Sequence, residues 1–225
     1  MIDLEDFSED IIGKAMRGFG ISMAQLSAAS GVNQEHIQDL LRGNFEENAA
    51  RSISPHLKLS ADALVTSGKS MWRPQAVNLE GLEIFNTPWR DMRVNAFILW
   101  DPANAQAAAF DTGADARAMI DFVEERQLEV GAVYLTHTHG DHIADLPRVL
   151  KAFAQPPVYV SEHEPLQGAI PVVAGHRARI GGLSLETRLT RGHSKGGHTY
   201  VVTGLARPVA IVGDALFAGS MGGGM

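Results

Sequence analysis

The hydrophobic positions of the first 70 residues recur every three to four residues, which is the period of an amphipathic helix. The helical patterns at residues 21–29 and 33–41 are separated by Gly31, as in a helix-turn-helix. The predicted elements are a helix beginning at a Ser8 cap, helices over residues 21–29 and 33–41, and a short helix over residues 60–65. The glycine- and serine-containing residues 67–70 then indicate a linker. Residues 1–70 are therefore predicted to form a small all-α domain.

From about Leu82 the apolar residues gather in short runs typical of β-strands. The predicted strands cover residues 94–100, 107–110, 133–135, 158–160, 183–189, 200–202 and 210–212. Helices are predicted between some of them, at about residues 114–127 and 147–154. Strands with helices interspersed predict a layered α/β domain over residues 71–225.

The composition narrows the class of protein. Apolar residues make up 45% and charged residues 20% of the 225 residues, as in an ordinary globular protein. The acidic start lacks the features of a signal peptide, and no apolar run is long enough to cross a bilayer, so we expect a cytoplasmic protein. The net charge of −7 argues against broad attraction to nucleic acid or anionic lipid. Because the chain has no cysteine, any metal must be held by histidines and carboxylates.

The strongest chemical signal directly follows the apolar run at residues 132–135. Three imidazoles and a carboxylate lie within six residues there, at His137, His139, Asp141 and His142. Such crowding is costly unless a cation lies among the side chains, and these ligand types suit zinc, iron or manganese. We therefore predict a metal-binding loop at the end of a strand.

Two later positions extend this set. His193 lies in a glycine-flanked loop after the strand predicted at residues 183–189, and Asp214 follows Gly213 at the end of another predicted strand. Either residue alone would more often be structural. When both residues follow the first motif in this order, the three features together are a specific signal for a metal site.

These motifs resemble the metallo-β-lactamase superfamily, and most closely its glyoxalase II-type branch, over residues from about Leu82 to the end. The resemblance implies an αββα sandwich. It also implies that His137, His139 and His193 bind a first metal, that Asp141 and His142 bind a second, and that Asp214 bridges the two. Asp111 matches an aspartate that supports the metal loop from behind the ligands, although it could instead cap the following helix.

The family normally supplies one more histidine, in a Pro-Gly-His-Gly loop beyond the bridging aspartate. This chain ends eleven residues after Asp214, so we expect a C-terminally short domain with a second site that is one ligand short. His198 is a candidate substitute, whereas His163 and His176 are interpreted as residues outside the site. The expected cofactor is Zn²⁺, one or two per chain and dinuclear in the complete protein, with Fe²⁺ or Mn²⁺ as alternatives.

The implied function is hydrolysis of a small-molecule ester, thioester or lactam by a metal-activated water, with Asp141 also orienting that water. One alternative is a mononuclear iron persulfide dioxygenase of the same fold, using His137, His193 and Asp214. Another is a transcription regulator that senses a metabolite through a degenerate hydrolase domain. A second copy of this chain is a further possible partner, in a homodimer.

The helical region resembles the helix-turn-helix of Cro- and phage-repressor-type regulators. A DNA reader normally carries basic residues on its recognition helix, whereas the segment at residues 33–39 carries Glu35 and Asp39. Residues 1–70 contain six Lys and Arg against ten Asp and Glu. We therefore expect no DNA binding, and favour a packing, dimerisation or lid role.

Overall fold

A computed structural model of the chain describes residues 4–90 and 92–224. They divide into two compact units, one of residues 4–76 with Leu216–Gly224 and the other of Val77–Ala215. Residues 71–76 and 216–224 thus group with the helices, although the sequence analysis placed them in the α/β domain. The predicted division into two domains at residue 70 stays a prediction.

The first unit is built from short helices around a small apolar core. Its helices are α1 (Ser8–Phe19), α2 (Met23–Ser30), α3 (Gln34–Leu40), α4 (Glu47–Ile53) and α5 (Ala61–Gly68), with a 3-10 turn at Ser54–Leu57. Ile12, Leu26, Ile37, Leu40 and Ile53 are fully buried in its core. The predicted Ser8 cap is wrong, because Phe7 occupies the cap position and its N–H donates to Asp10 over 3.0 Å. None of the helices in the described ranges is long and apolar enough to cross a membrane.

The second unit contains two β-sheets. The larger sheet has the order β1 (Leu82–Trp89), β2 (Met92–Trp100), β3 (Gln106–Phe110), β4 (Glu129–Tyr134), β5 (Val158–Ser161) and β6 (Ile170–Val172). The smaller sheet is antiparallel, in the order β10 (Val209–Ile211), β9 (His198–Thr203), β8 (Leu183–Leu189) and β7 (Arg177–Ile180). The helices of this unit are α6 (Arg117–Glu125), α7 (Gly140–Ile143) and α8 (Leu146–Ala152). A hairpin of β11 (Leu216–Phe217) and β12 (Ser220–Met221) belongs to the first unit.

Strand alternation explains how the layers of the second unit pack. Successive residues of a strand point to opposite faces. In β3, Ala107 and Ala109 pack with the core that contains Met119 of α6, whereas Ala108 and Phe110 face the core shared with the smaller sheet. Helices, larger sheet and smaller sheet therefore form successive layers, and the predicted α/β sandwich is confirmed.

The direction of the strands locates one edge of the larger sheet as the place for chemistry. β1, β2 and β3 are antiparallel, whereas β3, β4, β5 and β6 run parallel. The carboxyl ends of β3, β4 and β5 therefore meet at the same edge. The segments that follow β3 and β4 carry Asp111 and the predicted metal loop at residues 137–142.

Candidate metal centre

The predicted metal loop begins where β4 ends. Thr136 and His137 come one residue after the end of this strand and are buried, and α7 starts at Gly140. This short helix brings His142 close to His137. The ring centroids of His137 and His142 lie 4.1 Å apart.

Three imidazoles form the first group. Ligand atoms of His137, His139 and His193 lie within 4.8 Å of one another. His193 Nε2 is 2.8 Å from His139 Nδ1, although the two residues are 54 positions apart. These three nitrogens could hold one metal ion.

A second group shares His137 with the first and adds His142 and Asp214. Asp214 Oδ1 lies 3.1 Å from His142 Nε2, and Asp214 Oδ2 lies 3.3 Å from His193 Nε2. Asp214 therefore contacts His193 of the first group as well as His142 of its own, as a bridging carboxylate would. Asp141 lies farther out, with Oδ2 3.5 Å from His142 Nε2.

The smaller sheet delivers the last two of these side chains. His193 lies in the loop between β8 and β9, which Thr190 closes by donating its N–H to the Gly197 carbonyl over 2.7 Å. Asp214 follows Gly213, which has a left-handed φ of 51°. A Cβ at Gly213 would lie 2.4 Å from Thr136 Oγ1, so glycine lets the chain pass the metal loop and bring Asp214 to the histidines.

Asp111 is fully buried behind the ligands. Its Oδ1 accepts the Thr136 N–H over 2.7 Å, and its Oδ2 lies 2.7 Å from Thr136 Oγ1 and 2.8 Å from His142 Nδ1. The alternative in which Asp111 caps the following helix is wrong, because Ala116 is the cap residue of α6. The backbone of Asp111 adopts a left-handed φ of 55°, a conformation that costs free energy in residues other than glycine and is found at functional sites.

This network fixes which ring nitrogens face the centre. The Thr136 hydroxyl has one hydrogen and donates it to Asp111, so the same oxygen accepts from His137 Nδ1 over 3.1 Å. His142 Nδ1 likewise donates to Asp111. Nε2 is then the nitrogen of both rings that is available to a metal.

The surroundings shift the pKa values of these groups in opposite directions. Burial lowers the pKa of His137 to about 4, so its ring is neutral at pH 7. Burial also disfavours the charged form of His142, but Asp111 and Asp214 outweigh it and raise the pKa of His142 to about 10. The pKa of Asp214 is lowered, because His142, His137 and His193 outweigh the effect of burial. The metal-free centre is thus a partly protonated cluster, and metal binding would release a proton from it.

The donor set fits a divalent metal. Nε2 of His137 is buried without a hydrogen-bond partner among the described residues, and Nε2 of His142 is buried beside the carboxylates of Asp214 and Asp141, at 3.1 Å and 3.5 Å. An unpartnered buried polar atom is costly, and a cation among these nitrogens and Asp214 would satisfy Nε2 of His137. Nitrogen and carboxylate oxygen ligands suit zinc or another transition metal.

Three further histidines do not join either group. His163 Nε2 lies 2.7 Å from Arg191, and the His176 ring lies 5.9 Å from the Tyr159 ring. His198 is buried in β9, and its backbone N–H donates to the Thr136 carbonyl over 2.7 Å. Burial lowers the pKa of the His198 ring, whose Nδ1 has no hydrogen-bond partner among the described residues.

Two residues near the ligands were not assigned a role from the sequence. Thr136 links Asp111 to His137. Glu164, after β5, accepts hydrogen bonds from Thr138 and Gly196. Burial opposes ionisation of Glu164, but these and other hydrogen bonds outweigh it and lower its pKa to about 2. The position of Glu164 at the carboxyl end of a parallel strand was the available signal.

A cavity of about 680 Å³ in the second unit lies elsewhere. It is lined by residues at the amino end of β4, such as Glu129 and Val130, and by none of the clustered histidines. We assign it no catalytic role.

Two packed sheets with a histidine and aspartate cluster at one sheet edge define an α/β sandwich with a candidate metal centre. The family described as the metallo-beta-lactamase superfamily matches residues 89–223, and the chain belongs to this superfamily. The superfamily binds divalent metals, and its hydrolases include the relatives described next.

Several curated relatives cover the α/β region. A hydroxyacylglutathione hydrolase from Synechococcus sp. is 32% identical over 133 residues, which are 56% of this chain and 51% of the relative. The probable metallo-hydrolase YqgX from Bacillus subtilis is 32% identical over 160 residues, covering 60% of this chain and 74% of the relative. The chain thus spans about half the length of the hydroxyacylglutathione hydrolases it matches.

Solved structures agree on the fold. The BLEG-1 B3 metallo-beta-lactamase is 27% identical with a TM-score of 0.54, covering 63% of this chain and 79% of that one. ETHE1 from Myxococcus xanthus is 23% identical with a TM-score of 0.51, over 60% of this chain and 59% of that one. At this identity the likeness to ETHE1 shows the fold alone.

Proposed function

We propose that this chain is the catalytic part of a metal-dependent hydrolase that acts on a thioester or related ester or lactam. The observation that carries the proposal is the convergence of His137, His139, His193, His142 and Asp214, with the buried Nε2 of His137 left without a hydrogen-bond partner among the described residues. Relatives named hydroxyacylglutathione hydrolase favour a thioester among these substrates.

In this proposal His137, His139 and His193 would hold a first metal, preferably Zn²⁺. Asp141 and His142 would hold a second metal, and Asp214 would be a ligand shared by the two sites. A divalent metal there would supply Lewis-acid activation, which lowers the pKa of a coordinated water to about 7.

The chain's own residues do the positioning. Asp111 and Thr136 hold the rings of His137 and His142 so that Nε2 of each faces the centre. Asp141, 3.5 Å from His142 Nε2 and only partly buried, is placed to accept a hydrogen bond from the attacking water and orient it. Asp214 sets the spacing between the two groups by its contacts to His142 and His193.

The test combines metal analysis with a substrate panel. We expect metal-dependent hydrolysis of thioesters, with lower rates for oxygen esters and β-lactams. His137→Ala and His193→Ala should each lose most bound metal and activity, whereas His163→Ala and His176→Ala should retain both. Equal metal content in all four variants would overturn the ligand assignment.

The iron persulfide dioxygenase is the alternative that the same experiment separates. It is supported by the 3.3 Å contact of His193 Nε2 with Asp214 Oδ2, since that branch uses two histidines and this aspartate. Iron rather than zinc in protein purified without added metal, with oxygen uptake on addition of a persulfide and no hydrolysis, would favour it over the hydrolase.

A further inference from the structure

Glu164 makes contacts that no ligand role requires. It follows β5 in the larger sheet, and its carboxylate is half-buried. Oε2 accepts hydrogen bonds from the N–H of Thr138 over 2.9 Å and from its hydroxyl over 3.1 Å. Oε1 accepts the N–H of Gly196 over 2.7 Å. One carboxylate therefore contacts two separate loops, each with a different oxygen.

The two loops are those that carry the three-imidazole group. Thr138 lies between His137 and His139, and Gly196 lies three residues after His193. The rings of His139 and His193 come from loops on different sheets, yet their nitrogens approach to 2.8 Å. The separation of these loops sets the distances among the three nitrogens.

Close packing leaves this arrangement little freedom. A Cβ at Gly196 would lie 2.7 Å from Ser161 Oγ and 3.0 Å from Glu164 Cγ, so only glycine brings its N–H this close to the carboxylate. The adjacent Glu162 is exposed and lies 3.6 Å from the ring of its neighbour His163. Glu164 rather than Glu162 thus joins the loops.

We propose that Glu164 is a positioning residue that holds the His137–His139 loop and the His193 loop at the separation needed for the first metal. The inference rests on the proposed function. Hydrogen bonds to an ionised acceptor are stronger than neutral ones, which suits a carboxylate to this task. Groups behind the ligands commonly change metal affinity 10- to 100-fold when they are lost.

Glu164→Gln separates positioning from simple packing. Glutamine has nearly the same size, but its amide offers one acceptor oxygen and places an NH₂ group against the N–H of the other loop. The hydrogen bond to one loop is therefore lost, because the glutamine NH₂ and the backbone N–H of that loop are both donors. Glu162→Gln makes the same chemical change at the exposed neighbour and is the matched control.

The experiment titrates metal-free variants of this 225-residue chain with Co²⁺ and Zn²⁺, using the Co²⁺ absorption spectrum and chelator competition as readouts. We expect Glu164→Gln to weaken the first metal about 10- to 100-fold and to change the Co²⁺ spectrum, with Glu162→Gln within about twofold of the parent. Purely structural support would lower the unfolding temperature but leave the affinity and spectrum of the folded protein unchanged, and that result would overturn the proposal.

Thr138→Val keeps the proposal testable if Glu164→Gln does not fold. It removes only the hydroxyl contact, so a weakening of about threefold is expected. Unchanged affinity in Thr138→Val would in that case contradict the proposal. His193→Ala is measured alongside: if it loses the metal while the Glu164 variant does not, only the positioning role fails, and if it retains the metal, the proposed ligand set fails.

Discussion

The Oδ2 atom of Asp111 lies 2.8 Å from Nδ1 of His142, across 31 positions of sequence and with both side chains almost completely buried. The contact orients a candidate ligand without itself belonging to the ligand set. It predicts that Asp111→Asn, which leaves one acceptor oxygen for three donors, weakens metal binding about 10- to 100-fold. Chelator competition measures this loss.

The exposed Asp121 of α6 provides the control for Asp111. Asp121→Asn removes a carboxylate that faces solvent and should leave metal affinity unchanged. Asp111→Asn should also destabilise the metal-free protein by about 1–3 kcal/mol, because a buried donor loses its acceptor. Metal affinity within twofold of the parent would contradict the supporting role.

The two groups of ligand atoms predict unequal metal sites. The first combines three imidazoles with the nearby Asp214, a full tetrahedral set for zinc. The second relies on His142, Asp214 and the more distant Asp141. We expect about one tightly held metal per chain, and a second only when metal is in excess. Elemental analysis after extensive dialysis tests this, and two retained equivalents would point to a further ligand, with His198 examined first.

The charge of the helical unit predicts that duplex DNA is not its partner. Helix α3 carries Glu35 and Asp39 and no lysine or arginine, so phosphates would be repelled. We expect no sequence-specific binding in a selection from random duplexes at physiological salt. A selected duplex bound with a Kd of about 10⁻⁸ M or tighter would refute this.

The lowered pKa of Glu164 predicts that the free energy of unfolding depends on pH in a specific way. Its pKa falls from the ordinary 4.5 to about 2 in the folded chain, so its contribution is complete above about pH 4.5 and is lost as the pH falls toward 2. The parent should therefore exceed Glu164→Gln in free energy of unfolding at pH 7, and the difference should shrink below pH 4.5. Denaturant unfolding of both metal-free proteins at pH 7 and pH 3 measures it. A difference that does not change between these pH values would contradict the assignment.

Strands made of continuous apolar runs could be predicted from the sequence, whereas strands with interrupted patterns could not. Residues 94–100 and 107–110 were predicted and lie within β2 and β3. β1 was missed because Asn86 and Pro88 interrupt its pattern. It lies at the edge of its sheet, where proline is tolerated. Helix α4 was missed as well, since short side chains such as Ala49 and Ala50 give little periodic signal.

The candidate ligands could be predicted because most of them are close in sequence and chemically distinctive. His137, His139, Asp141 and His142 form one motif, and the structure places all four near His193 and Asp214. Glu164 could not be predicted, since its hydrogen-bond partners lie 26 and 32 positions away. A carboxylate that binds backbone N–H groups also leaves no pattern in its partners' side chains.

The candidate ligands come from both sheets of the second unit, with His137 and His142 following β4 and with His193 and Asp214 following strands of the smaller sheet. A metal bound here would link the two sheets. The unfolded chain has only the local motif at residues 137–142 and so cannot offer the same ligand set. Its binding would then favour the folded chain by RT ln(1 + [L]/Kd), about 2.7 kcal/mol at a hundredfold excess over Kd. Removal of the metal by a chelator should therefore make the loops between the sheets more susceptible to proteolysis. Resistance to digestion then reports metal occupancy without any knowledge of the substrate.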